Sequence, residues 1–306
     1  MHRMNIFKNE SGSLSEINEK PFKLEKEIQK LFEANLKLLM NLDVIKSEFS
    51  IKNKRIDTLA FDPQTNAFII IEYKRDKNIS VVDQGFSYLS LMLENKADFL
   101  VEYNETMGKR IKRSEIDWSQ SRVVFVSTHF TENQILATNF KDIAIELWEI
   151  KRYDNELIVI QPIKKSTSAE SIKPIAEQSD VIRHVSEEIK VYTIEDHYQK
   201  GSDFTIELYE KLLANIFNMV DNVNVVPYKY WINLDVGKLT ILSIEIQRKK
   251  LNLFINMKAG KLDDPKNISR DVSRIGHYGK GDYQIQIDSD ANLEYILSLI
   301  KQILNQ

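Results

Sequence analysis

The chain of 306 residues has no cysteine. That excludes a disulfide framework, a thiol nucleophile and any cysteine-based zinc site. It also lacks an apolar run approaching the roughly 20 residues of a membrane span. The first twenty residues, MHRMNIFKNESGSLSEINEK, are polar, with no apolar core of signal-peptide length. A soluble cytoplasmic protein is the expectation. There is no strong charge of one sign: the formal net charge is −3. Residues 1–165 balance, and the acidic excess lies beyond them. Neither half is a basic nucleic-acid sponge, so nucleic-acid chemistry would need a local basic patch. Two runs qualify, IKNKR (51–55) and GKRIKR (108–113), and a solvated loop is the commoner reading of either. The five histidines, at 2, 129, 184, 197 and 277, show no metal-ligand spacing.

What is present is a globular composition, 42% hydrophobic and 28% charged, long enough for two domains. Residues 21–40 carry a helical stripe of Leu24, Ile28, Leu31, Phe32, Leu38 and Leu39. RIDTLAFD (55–62) and AFIIIEYKR (67–75) read as strands joined by a turn at Pro63–Asn66. A helix at 81–96, a strand at 121–128 and a strand pair within 143–163 complete an α/β domain with a mixed central sheet flanked by helices. The polar stretch 166–190 reads as a linker, partly helical. From 191 to 306 the pattern is α+β: a helix at 202–220, three meandering strands, the strand DYQIQID and a final helix.

The stretch AFIIIEYKRD (67–76) poses the chemical question. Alternation along a strand puts Ile70, Glu72 and Lys74 on one face, and buried charges are costly unless paired or metal-bound. Asp57, on the preceding strand, could come near Glu72 in a hairpin. Two adjacent carboxylates raise one pKa unless a cation lies between them. An oxygen-only pair suits Mg²⁺ (or Mn²⁺), and a lysine beside it can orient a water and stabilise charge on a phosphate. The alternative is a charged sheet rim, with Asp57 paired to Lys74 or Arg75 and Glu72 to Lys52 or Lys54.

Asp57, a hairpin and then Glu72-Tyr73-Lys74 resemble the PD-(D/E)xK nuclease superfamily, although Ile56 stands where the nominal motif has proline. The resemblance covers residues 21–160 and implies a restriction-endonuclease-like fold. It implies that Asp57 and Glu72, with the Tyr73 carbonyl, bind the metal and that Lys74 assists the attacking water. Gln84 and Tyr88, four residues apart on the following helix, resemble the Gln-x-x-x-Tyr signature of RecB-like members, where both support the site or contact DNA. The first helix supplies a further acid in that family. Glu27 matches best, with Glu25 at the other edge of the stripe. The implied function is metal-dependent phosphodiester hydrolysis, with DNA the favoured substrate, in defence or repair; a homodimer would suit two cuts in a duplex. A nuclease fold without activity, docking nucleic acid or protein, is the alternative, and a scaffold in a larger complex a third.

The second domain carries GHYGKGDY (276–283), whose spacing is not that of a phosphate loop. Gly276, Gly279 and Gly281 are expected to set a tight connection into the next strand. The region resembles an uncharacterised domain at the C-terminus of restriction-associated proteins and of proteins labelled predicted transport proteins; nothing in the sequence supports transport. Tyr228, Tyr230 and Trp231 beside Lys229, with RKK at 248–250 and Arg270, Arg274 and His277, could stack bases and hold phosphates. Core aromatics beside a solvated turn account for the same residues.

Overall fold

The computed structural model describes residues 5–74, 80–166, 168–177, 179–277 and 279–305. The chain divides into two compact units, up to Val191 and from Tyr192 onward. Among the described residues no helix is long and apolar enough to cross a membrane.

The first unit opens with a hairpin, β1 (Ile6–Glu10) and β2 (Ser13–Ile17), followed by α1 (Glu25–Met40). Then come β3 (Asp43–Ile51), β4 (Lys54–Asp62), β5 (Ala67–Lys74), α2 (Val81–Glu94), α3 (Lys96–Met107), β6 (Arg122–Ser127), α4 (Glu132–Ala137), β7 (Ile145–Arg152) and β8 (Ile158–Pro162). The unit closes with α5 (Lys173–Ala176) and α6 (Asp180–Glu188). The sheet order is β3-β4-β5-β6-β7-β8. The pairs β5–β6 and β6–β7 are parallel and the others antiparallel. This is the mixed sheet expected.

Both faces of β5 are covered, which is why it reads as an unbroken apolar run. Ile69, Ile71 and Tyr73 pack with Ile28, Phe32 and Leu36 of α1. Phe68 and Ile70 pack on the opposite face with Leu89 and Met92 of α2 and Phe99 of α3. Glu72 continues that second face. The buried stripe of α1 differs in part from its apolar period: Gln29 is buried, whereas Leu24 and Leu38 are exposed. Gly85 lets α2 lie close on the sheet, because a Cβ there would stand 2.5 Å from Ile145 Cδ1.

Residues 166–190 are not a free linker. Ile172, Val185 and Ile189 are buried in the same core as α2, and the Lys190 N–H donates to the Ser119 carbonyl (2.8 Å). Apolar residues spread through a polar stretch dock it on that core.

The second unit contains α7 (Ile194–Tyr198), α8 (Asp203–Met219), β9 (Val223–Pro227), β10 (Ile232–Val236), β11 (Leu239–Ile246), β12 (Leu251–Ile255), β13 (Arg270–Asp271), β14 (Tyr283–Ile287) and α9 (Leu293–Leu304). Its antiparallel sheet runs β13-β14-β12-β11-β10-β9, with α8 and α9 on its apolar face. His197, fully buried, bonds through Nε2 to the Tyr228 carbonyl (2.6 Å), and no partner meets its Nδ1 among the described residues. Burial, then the charge of Lys200, pushes its pKa from 6.5 down to about 4. The unfolded chain therefore binds the proton first, and this contribution to stability is complete above pH 6.5 and is lost as pH falls toward 4. The loss is roughly 3 kcal/mol at most. Denaturant unfolding of His197→Gln against wild type between pH 7 and 4 checks this; an unchanged pH slope contradicts it.

Candidate active site

The ladder between β4 and β5 runs from Asp62–Ala67 to Thr58–Ile71 and then stops, while β3 stays paired with β4 as far as Lys54. Beyond Thr58 the two strands part, and side chains take up the main-chain groups in the gap. The Asp57 N–H donates to Glu72 Oε1 (3.1 Å) and the Tyr73 N–H to Asp57 Oδ2 (3.0 Å). The Tyr88 hydroxyl donates to the Arg55 carbonyl (3.2 Å), and Gln29 Nε2 to the Asp57 carbonyl (2.8 Å). Buried main-chain groups need such partners, and four specific side chains bridge the fork.

Glu72 is thus seated against the Asp57 main chain, and Asp57 against that of Tyr73, the residue after Glu72. Glu72 is 2% exposed. Lys74 Nζ donates to its Oε2 (3.2 Å), and Gln84 Nε2 donates to the same oxygen (3.4 Å) and to the Tyr88 hydroxyl (3.2 Å). Burial and then the neighbouring Asp57 charge raise the Glu72 pKa from 4.5 to about 7. Burial likewise raises that of Asp57. Burial first, then the Glu72 charge, pushes the Tyr88 phenol upward as well.

The structure therefore brings Asp57, Glu72, Lys74, Gln84 and Tyr88 together. Glu72 takes its salt bridge from Lys74 rather than from Lys52 or Lys54. Arg75, the other cation considered for Asp57, lies outside the described residues, as do His2 and Tyr278.

Glu27 is the exception. Its carboxylate meets Arg152 Nη1 of β7 (3.2 Å), and Arg152 also donates to the carbonyls of Lys20 and Pro21. The face of α1 that meets β4 is the i, i+4 row through Gln29 and Glu33. Thr58 Oγ1 donates to Glu33 Oε1 (2.5 Å), and Gln29 bonds both Glu33 and Ser47. Glu25, one turn before Gln29, acts electrostatically on Asp57. Sequence reasoning passed over Gln29 and Glu33. The signal was a polar residue inside an apolar stripe, one helical turn from an acid.

The two basic runs part company. Residues 51–55 form the β3–β4 turn, beside the Arg55 carbonyl that Tyr88 holds. The other run lies at the far end of the hairpin. Lys109 stands over the Tyr103 ring (5.8 Å), which packs on Phe61 and Phe68 (4.5 and 6.0 Å). Phe68 and Glu72 are separated by about 13 Å along the strand.

The donor set fits a hard divalent cation. Two carboxylates with one ammonium leave net negative charge, and Mg²⁺ needs only one or two protein carboxylates plus waters. Gln84 Oε1 is buried with no partner among the described residues, an unspent acceptor beside Glu72. Among those residues no three His, Asp or Glu side chains gather to enclose a metal.

An uncharacterized protein of Haemophilus influenzae is 52% identical over 301 residues, covering 98% of this chain and 99% of that one. The chain belongs to that protein's family. Residues 194–302 match a domain of unknown function, DUF5655. Three solved structures share local likeness. The EndoMS complex with double-stranded DNA has TM-score 0.26 and 18% identity, over 37% of this chain and 40% of that one. A repair endonuclease from Pyrococcus abyssi has TM-score 0.23 and 19% identity, over 42% and 47%. Pyrococcus furiosus SfsA in complex with Ca²⁺ has TM-score 0.26 and 16% identity, over 46% and 65%. The chain spans less than two thirds of each, and superpositions this loose carry no argument about the site.

Proposed function

We propose that the first unit is a metal-dependent nuclease of the PD-(D/E)xK kind, hydrolysing phosphodiester bonds with DNA as substrate. The observation that carries this reading is the fork between β4 and β5, where the buried Glu72, the half-buried Asp57 and a lysine share one end of the sheet. Asp57 and Glu72, with the Tyr73 carbonyl, would hold Mg²⁺ or Mn²⁺. The ion, when bound, supplies Lewis-acid polarisation of a phosphoryl oxygen and a more acidic water.

The chain's own residues do the rest. Lys74 is tethered by Glu72 at 3.2 Å, so its ammonium is fixed where a phosphate would develop charge, and preorganised charge of this kind is worth about 10²- to 10³-fold in rate. Gln84 holds the second oxygen of Glu72, and Tyr88 holds Gln84 and the Arg55 carbonyl, so the α2 pair sets the carboxylate's orientation. The exposed Lys52–Lys54 turn lies at this end of the sheet, where it would meet the phosphate backbone.

The same hydrogen bonds also close the fork structurally. An inactive nuclease-fold module that docks nucleic acid is therefore the second reading. Lys74→Ala separates the two. A nuclease loses Mg²⁺- or Mn²⁺-dependent cleavage by about 10²-fold or more, while its DNA affinity in low salt changes little. If wild type binds DNA but cuts neither DNA nor RNA with either metal, the module reading stands.

A further inference from the structure

The second unit's sheet has two unlike faces. Ile232, Leu234, Leu242, Ile244, Leu253 and Ile285 point toward α8 and α9. The alternate residues point the other way. These include Asn233, Ser243, Asn252 and Gln284, which are buried although polar. Residues 272–277 and 279–281 cover them. The Lys280 N–H donates to Ser243 Oγ (3.0 Å), and the His277 ring stacks on Phe254 (5.0 Å between centroids, 7° between planes). Gly279 presses so near that a Cβ would stand 2.4 Å from the Phe254 ring.

Between this cover and the sheet lies a pocket of about 250 Å³. Its aromatic lining is Tyr230, Trp231, Phe254 and His277, and its polar lining includes Glu245, Arg270 and Gln284. That is smaller than the roughly 300–1,000 Å³ of drug-sized sites and of the order of one heteroaromatic ring. Glu245 is held from two sides: Gln247 Nε2 donates to Oε1 (2.9 Å) and Asn252 Nδ2 to Oε2 (2.7 Å). Each oxygen keeps a further lone pair. Asn252 Oδ1 and His277 Nδ1 are buried with no hydrogen-bond partner among the described residues, and such atoms are costly to leave unspent. Near the aromatic wall the charge is positive. Tyr230, 39% exposed, carries the ammonium groups of Lys229 and Lys200 over its ring (5.4 and 6.0 Å), and Arg270 Nη2 meets Gln284 Oε1 (2.6 Å).

A fixed carboxylate inside, aromatic walls and cations around them match a nucleotide: ring within, phosphate without. We propose that this pocket binds a nucleobase, with ring N–H donors on Glu245 and the attached phosphate toward Arg270. Guanine, which presents a ring N–H and an amino group side by side, fits Glu245 best; thymine, whose single N–H lies between two carbonyls, fits worst. Only the choice of a nucleic-acid strand as the natural source rests on reading the first unit as a nuclease.

The test uses the whole chain carrying Lys74→Ala, in EDTA, so that nothing is cut. GMP, AMP, CMP, TMP, guanosine and short single-stranded oligodeoxynucleotides are titrated by calorimetry. GMP is expected to bind saturably, about tenfold or more tighter than TMP, and Glu245→Gln to weaken it by about tenfold or more. Arg270→Ala, at an exposed side chain, should weaken GMP more than guanosine and keeps the test decisive if Glu245→Gln disturbs the sheet. A guanine-containing oligonucleotide binding tighter than GMP names a strand as the source; equal affinity names the free nucleotide. The proposal falls if no nucleotide or oligonucleotide binds below the millimolar range, or if both variants leave GMP affinity unchanged. Cleavage by wild type is scored separately, so either reading can fail alone.

Discussion

Glu72→Gln is expected to abolish cleavage and, in the same protein, to raise stability at pH 8. The carboxyl is 2% exposed, and its pKa is raised from 4.5 to about 7, first by burial and then by Asp57. A raised acid holds its proton in the folded state after the unfolded chain has released it. Stability therefore falls as pH rises from 4.5 through 7, and above pH 7 the ionised pair costs up to about 3 kcal/mol. The amide removes that cost and keeps an acceptor for the Asp57 N–H. Activity should drop by about 10²-fold or more, the size of effect seen when a preorganised electrostatic group is lost. Denaturant unfolding at pH 5 and pH 8, beside a cleavage assay, checks both halves. Equal stability of the two proteins at pH 8 would show that Glu72 is not held at electrostatic cost, and the functional argument would lose its footing.

Gly281→Ala should unfold the second unit's sheet. Gly281 has φ +99°, and a Cβ there would stand 1.9 Å from the Ile255 carbonyl oxygen and 2.4 Å from Asn256 Cα. Both obstacles are main chain of the β12 end, so neither can rotate aside. Strain and clash together place the cost above about 4 kcal/mol, a large part of the 5–15 kcal/mol that holds a domain. Hydrogen exchange is expected to show lost protection in 239–255 and 283–287 while 54–74 keeps its own. A variant melting within about 2 °C of wild type would contradict this.

Much of this could be read from residues alone, and the failures have physical causes. β5 was legible because Phe68–Ile71 is apolar on both faces, and the site because Glu72 and Lys74 interrupt that run in phase with it. β3 was not, since at the sheet edge DVIKSEFSI mixes buried and exposed positions without clean alternation. The helix α3 was missed because Phe99 and Tyr103 are its only fully buried anchors. Glu27 pairs with Arg152 and not with the fork, which stayed hidden because a helical wheel shows which edge of the stripe a residue occupies but not which strand that edge meets. Arg152 decided it, from 125 residues away. The docking of residues 166–190 was hidden by the polar residues around their scattered apolar ones. The fork itself had no signature in the sequence: it appears only where the ladder of two strands ends and carboxylates replace it.

The most direct measurement is calorimetric binding of Mn²⁺ at pH 8, without nucleic acid, to wild type and to Asp57→Asn. Saturable binding at about one ion per chain in wild type, lost in the variant whose fold is intact by circular dichroism, is the expected result. No binding to wild type, or equal binding to both, would mean that the two acids meet at the fork only to close it.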